Sequence, residues 1–294
     1  MERLSKINYI GKEKIMDLEY SLFTGALAVF HDFHGSDSSM KFTYDFHAKE
    51  FEQLKQKYKI EEVAGNGSEL EKVRNLLTWC SENVLHNGGS KDVEFLPKNA
   101  LAILDYSFGK GREYGVYCRL QAIVFTECCL ALGIKSRILH CLPYSPYDFE
   151  SHVVSIVYIN QLNKWILVDV TNNRYFLDEN NTILSPLEIR ERLGKNLFIQ
   201  CNLEDERYKK YMAKNMFYFK SLQYNTFDSD NLPNQNTIYC VPNGFDVIGR
   251  EMAYFEYAIQ NSPETFKEDW KKHFDEFKKR TDFININSNV FFAP

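Results

Sequence analysis

The segment Cys118–Leu132, "CRLQAIVFTECCLAL", constrains this 294-residue chain more than any other. Read as a helix, it carries Leu120, Val124, Cys128 and Ala131 on one stripe and Ala122, Phe125, Cys129 and Leu132 on another, so nearly every face is apolar. A helix without a polar face belongs in the middle of a domain, with other elements packed around it. Gly133 follows as a helix-ending residue, and "IKSRILHCL" after it reads as a strand.

Two more strands are expected downstream. In "SHVVSIVYI" the side chains of His152, Val154, Ile156 and Tyr158 share one face, and in "KWILVDV" Trp165, Leu167 and Asp169 share one face. The short polar connector "NQLN" predicts an antiparallel hairpin. With the turn centred near Gln161 and Leu162, paired residue numbers sum to roughly 321–323. That register puts Asp169 opposite His152 or one diagonal step away, with Cβ atoms about 5–8 Å apart. A slip of one residue would separate the two onto opposite faces.

Upstream, "AKEFEQLKQKY" predicts a helix, and Ser68 with Glu71 predicts a capping box for the next, "ELEKVRNLLTWCSENVLH". There Val73, Leu76, Leu77, Cys80 and Val84 form a buried face, and Gly88 and Gly89 are expected to end it. "NALAILDYSF" reads as a shorter helix and "GKGREYG" as the turn that delivers Cys118. Further on, Ser185 and Pro186 start the helix "SPLEIRERL". The last hundred residues hold helical stretches such as "DERYKKYMAKNMFYF" and "SPETFKEDWKKHFDEFKKR", joined by the loop "DSDNLPNQN". Three regions result: 1–68 and 186–294 packed on a central core over 69–185. The fold class is α+β.

Composition narrows the function. A net charge of −5 with acids and bases interspersed offers no basic stripe for nucleic acid. No apolar run approaches the roughly 20 residues of a membrane span, and the charged N-terminus does not resemble a secretion signal. The chain is therefore expected in the cytoplasm. Its seven cysteines show no framework spacing and no CxxC pair, so they read as reduced thiols.

Among these thiols Cys118 stands apart, because it lies where a helix begins and unpaired N–H groups stabilise a thiolate. Cys128 and Cys129, deep in the same helix, read as inert packing. A nucleophilic thiol needs a base, and the base needs an orienting acid. The hairpin supplies His152 and Asp169.

At this point the chain resembles a known family. "GVYCRLQAIVFTECCLALGIKSRIL" followed by "HVVSIVYINQLNKWILVDVTNNRYF" is similar to the transglutaminase-like superfamily, with its Gly-x-x-Cys at a helix start, Leu-Gly-Ile-x-x-Arg turn, His-led strand and Trp-x-x-x-Asp strand. The resemblance spans about residues 70–185. It implies a papain-like core with Cys118 as nucleophile, His152 as base and Asp169 as orienting acid, in the family's order. Arg119, Val154 and Val170 depart from common choices at their positions and bear on specificity. The implied activity is a cysteine-dependent hydrolase or acyltransferase attacking an amide of a peptide or protein, with hydrolysis ahead of crosslinking. No cofactor and no metal is implied. The alternatives are a non-catalytic binding module on this fold and a peptide N-glycanase-like amidase, the latter disfavoured because no CxxC zinc pair is present.

Other residues compete for roles. His140 is a second candidate base, without a carboxylate nearby in sequence, and Arg137 reads as half of a structural ion pair. His31, Asp32, His34, Asp37 and His47 invite a metal reading that one HxxH outside a helix supports weakly. "GKGREYG" is too long for a dinucleotide fingerprint. The aromatic run "YKKYMAKNMFYFKSLQY" reads as core closure rather than a substrate groove. The Cys118 backbone N–H is a natural oxyanion donor, with Tyr114 and Trp79 the only guesses for a second.

Overall fold

The computed structural model describes residues 18–35, 40–88, 93, 96–110, 114–148, 150–279 and 284–294. In chain order these form α1 (residues 18–29), β1 (Thr43–Tyr44), α2 (Lys49–Tyr58), α3 (Ile60–Ala64), α4 (Glu69–Asn83), α5 (Ala100–Lys110) and α6 (Cys118–Ala131). Then follow β2 (Ser136–Leu142), β3 (His152–Ile159), β4 (Lys164–Val168), β5 (Phe176–Leu177), α7 (Pro186–Gly194), β6 (Gln200–Cys201) and α8 (Glu206–Asn215). The chain closes with β7 (Tyr218–Leu222), β8 (Tyr224–Asn225), β9 (Thr237–Cys240), α9 (Val247–Asn261), α10 (Glu264–Lys279), β10 (Ile284–Asn285) and α11 (Ser288–Phe291).

The architecture is α+β, as expected. A six-stranded sheet runs β10-β9-β7-β2-β3-β4, antiparallel throughout except for the parallel β10–β9 pair. Alternation along the strands divides the core in two. Val153, Val157, Ile159, Ile166 and Val168 face α6 and the helices α2 to α5 around it. Val154, Ile156, Tyr158, Trp165 and Leu167 face the other way, into a second cluster with residues of α1, α7, α8 and the C-terminal segment. Every residue of β3 is buried, as both-sided coverage requires.

The all-apolar helix sits where its composition demands. Every residue of α6 from Leu120 to Ala131 is buried. Its three polar members each have partners, because a buried polar group without one is costly. Gln121 donates from Nε2 to the Val84 carbonyl (2.6 Å) and accepts from Thr171 Oγ1 (2.8 Å). Thr126 and Ser155 share a 3.1 Å hydroxyl contact. Glu127 accepts from the backbone N–H groups of Ala100 (2.7 Å) and Asp228 (2.9 Å), which fixes the start of α5 and the turn before β9. The polar side chains of α6 thus tie it to its surroundings.

Local signals in the sequence hold at several points. The Ser68/Glu71 and Ser185/Glu188 capping boxes are both formed, and Gly133 takes a φ of +72° after the helix. The β3–β4 hairpin turns through a short 3-10 segment, Asn160–Leu162, with Ser155 opposite Val168 and Ile156 opposite Leu167. This register places Asp169 one diagonal step from His152 on the same face.

Three expectations need correction. Helix α4 ends at Asn83, well before the glycines, because Val84 is extended and the next residues are taken up by pairing: Asn87 N–H donates to the Val116 carbonyl (2.8 Å) and Val116 N–H to Leu85 (2.8 Å). The helix read through "DERYKKYMAKNMFYF" stops at Asn215, and Tyr218–Leu222 is a strand hydrogen-bonded between β2 and β9. With β9 and β10 it brings the third region into the central sheet. Arg137 has no carboxylate partner among the described residues: its guanidinium, 0% exposed, donates to the Tyr44 hydroxyl and the Phe291 carbonyl, and lies 3.8 Å from the Phe42 ring centroid and 4.4 Å from that of Trp165.

The role of Gln121 as a strut is testable. Gln121→Leu keeps the shape but leaves the Val84 carbonyl and Thr171 hydroxyl unpaired, so urea unfolding should show a loss of about 1–3 kcal/mol with an unchanged slope. A loss within experimental error of zero would refute the role.

Candidate active site

Cys118 is the first residue of α6, and its N-cap, Tyr117, makes no side-chain capping bond. The helix N-terminus therefore keeps its own N–H groups available beside the sulfur. The glycine three residues earlier has a steric reason. A Cβ on Gly115 would lie 2.8 Å from the Leu85 carbonyl oxygen and from the His86 carbonyl carbon, so only glycine lets segment 85–87 pair with 115–117. That pairing, with His86 bridged to Val116, fixes the approach to Cys118.

His152 opens β3 and is 1% exposed. Its Nε2 lies 2.6 Å from Asp169 Oδ2, and its ring lines one cleft with Cys118, whose thiol is near enough to favour the charged imidazole. Since Nε2 is taken by the carboxylate, Nδ1 is the nitrogen left for sulfur. The sheet register and the helix start thus bring together the three residues singled out in the sequence.

Asp169 is 0% exposed and fully engaged. Besides His152, its Oδ2 accepts from the Tyr208 hydroxyl (2.8 Å) and Asn172 Nδ2 (2.8 Å), and its Oδ1 accepts from the Asn172 backbone N–H (3.2 Å). Burial by itself would push this carboxyl up. The His152 charge and the hydrogen bonds from His152, Asn172 and Tyr208 outweigh it and hold the group below the ordinary carboxylate range. For His152 burial pulls the imidazole down, yet the Asp169 carboxylate and the Cys118 thiol overcome it and push the pKa up to about 10.

The other thiols are unsuited to chemistry. All seven cysteines are free. A hydrogen bond with Cys80, followed by burial, raises Cys128 well above the thiol range, and burial does the same for Cys129. His140 is unsuited as base, because it pairs with Val153 on the face away from His152, and burial together with Arg119 and Lys220 holds it well below the imidazole range.

A solvent-open cleft of about 790 Å³ is lined by His86, Tyr117, Cys118, His152 and Tyr211 among others. Tyr211 packs edge-on against His152, with ring centroids 5.0 Å apart. The aromatic run of the third region therefore does both jobs: Tyr208 is buried and braces Asp169, while Tyr211 walls the cleft. Asn172 had a readable signal, an Asp followed three residues later by Asn in a turn, whereas Tyr208 and His86 had none. Trp79 packs edge-on against Tyr58 and tilted against Phe108, and Tyr114 lies under Lys110; neither lines the cleft.

His31, Asp32 and His34 line a separate cavity of about 460 Å³. Asp37 lies outside the described residues, and no group of three His, Cys, Asp or Glu among the described residues is arranged to hold a metal. Residues 111–113 of "GKGREYG" are likewise outside them, and Gly109 and Lys110 end α5.

Residues 56–170 match the family model of the transglutaminase-like superfamily, which bears out the resemblance drawn from the motifs. No curated protein matches the chain. Among solved structures, a proposed cysteine protease from Cytophaga hutchinsonii is similar at 16% identity with a TM-score of 0.32, over 66% of this chain and 55% of that one. Another, described as a TGase, is similar at 13% identity with a TM-score of 0.30, over 42% and 33%. The chain thus spans about half or less of the length of these structures.

The raised His152 pKa makes stability depend on pH. The folded imidazole keeps its proton to about 10, while the unfolded one loses it near 6.5, so this stabilisation is complete below about 6.5 and is lost as pH rises toward 10. Unfolding free energy should fall across that window with a slope of up to about 1.4 kcal/mol per pH unit, and His152→Gln should flatten it. An equal slope in the two proteins would show that the pairing has been misjudged.

Proposed function

We propose that the chain is a cysteine-dependent enzyme that cleaves an amide bond of a peptide or protein through a thioester on Cys118, with water ahead of an amine as acceptor. The single observation that carries this reading is His152, bonded to the Asp169 carboxylate, lining one cleft with Cys118 at the open end of a helix. Structural ion pairs do not require a thiol at a helix N-terminus facing a cleft. Nucleophilic catalysis does.

The steps follow from the protonation state. A His152 that retains its proton to about pH 10 places an imidazolium beside the Cys118 sulfur, the charge that favours attack as a thiolate. The sulfur attacks the carbonyl carbon, and the carbonyl π electrons move to oxygen, where the Cys118 N–H meets the developing charge. Collapse of the tetrahedral intermediate restores the carbonyl and breaks the C–N bond, and His152 gives its proton to the departing amine. Neutral His152 then removes a proton from water as it attacks the thioester, and the acid product and thiolate result. Asp169 holds the ring in place throughout, itself braced by Tyr208 and Asn172. Access of solvent along the cleft favours water as the acceptor. A cytoplasmic location suits seven free thiols, one of them reactive.

Iodoacetamide labelling against pH tests the nucleophile. Wild type should label at pH 6 at a rate that a free thiol reaches only above its pKa, about 8.5. Cys118→Ala should abolish the fast phase, and His152→Ala should slow it at least tenfold at pH 6. Labelling no faster than that of a free thiol, or unaffected by Cys118→Ala, would refute the proposal.

A further inference from the structure

Resting on this acyl-transfer reading, we infer that His86 is a further catalytic residue: its imidazole N–H is the second donor to the oxyanion formed on the carbonyl attacked by Cys118. One donor, the Cys118 N–H, leaves the developing charge half supported, since sites of this kind converge two groups on the oxygen. The second must stand on the side of the sulfur away from the base.

The backbone brings His86 to the nucleophile from a different element than the base. His152 approaches from β3, and Tyr211 stands with it, packed edge-on against its ring from α8. The segment that leads into Cys118 is paired on its flank with residues 85–87, and His86 is bridged to Val116, two residues before the nucleophile. The bridge is made by Leu85 and Asn87, whose backbone groups bond Val116 at 2.8 Å, so it holds His86 in place without using its side chain. The imidazole lines the same cleft as Cys118 and His152. Gly88, another lining residue, leaves one flank of the ring open: even a Cβ there would stand 3.6 Å from His86 Cε1.

The electrostatics suit a donor rather than a second base. Partial desolvation in the cleft, and then the His152 charge, hold His86 below the ordinary imidazole value against a smaller opposite pull from Asp169. At neutral pH the ring is therefore uncharged and still carries one N–H, a form of histidine able to polarise a carbonyl. A cationic ring would compete with His152 for the thiolate and Asp169, whereas the neutral ring gains strength only as the oxyanion forms. In the step itself His86 donates a hydrogen bond and transfers no proton.

Alkylation and acylation of Cys118 separate this role from others, since attack on iodoacetamide forms no oxyanion and attack on p-nitrophenyl acetate does. Wild type, His86→Leu, His86→Gln and Tyr211→Phe are compared for both reactions, with mass spectrometry locating the acetyl group. His86→Leu should acylate about 10²- to 10³-fold more slowly while alkylating within about twofold of wild type, and His86→Gln, which restores a donor, should recover much of the loss. Equal slowing of both reactions in His86→Leu, no slowing of either, no recovery in His86→Gln, or a loss carried by Tyr211→Phe in place of His86→Leu would each overturn the assignment. A wild type whose Cys118 alkylates rapidly but is never acylated would instead sink the acyl-transfer reading, and this inference with it.

Discussion

A helix with no polar stripe has to be enclosed, and the enclosure of α6 sets the position of the rest of the molecule. Helices α2 to α5 cover it on one side and the central sheet on the other. Only its beginning reaches the surface, at Cys118, where the buried run from Leu120 stops. The element that organises the core therefore also presents the thiol. Helix ends leave backbone N–H groups without partners, and an end that must open toward solvent is the natural place for a nucleophile and the charge it creates.

The remaining polar features of the core support that end. Gln121 joins the first turn of α6 to the end of α4 and to the segment just past Asp169. Glu127, pushed up to about 8 by burial despite two backbone donors, joins the same helix to α5 and to the turn before β9. Around Asp169 the donors converge from β3, from the turn after β4 and from α8. Such a carboxylate cannot swing away from His152 without abandoning several hydrogen bonds at once, which is what an orienting acid needs. The first and third regions of the chain are part of this design: Arg137 bonds the Tyr44 hydroxyl and the Phe291 carbonyl, and Trp165 Nε1 donates to the Ala293 carbonyl (3.0 Å).

Much of the fold is legible in local stretches of the sequence. The capping boxes at Ser68 and Ser185 depend on residues three apart, and the β3–β4 register on a connector of a few residues, so both are local. The misread stretches were those in which distant pairing overrode local preference. Residues 85–87 left the helix pattern because Val116 and the bare backbone at Gly115 offered pairing. The aromatic stretch at 217–222 became a strand because β2 and β9 needed a neighbour between them, although "MAKNMFYF" continues a helical pattern from α8.

The sequence by itself determined the three-residue constellation: a cysteine where an apolar helix begins, and a histidine and an aspartate one diagonal step apart on a hairpin. Helical and strand periodicity are properties of the backbone, so they travel with the chain wherever it packs. Tertiary structure alone decided what surrounds those three residues. Tyr208 reaches Asp169 from 39 residues away, His86 reaches the cleft through a bridge 30 residues from its partner, and Arg137 donates to a carbonyl 154 residues distant. Contacts of that range depend on how layers stack, and stacking follows from burying all the apolar faces together rather than from any spacing within one of them.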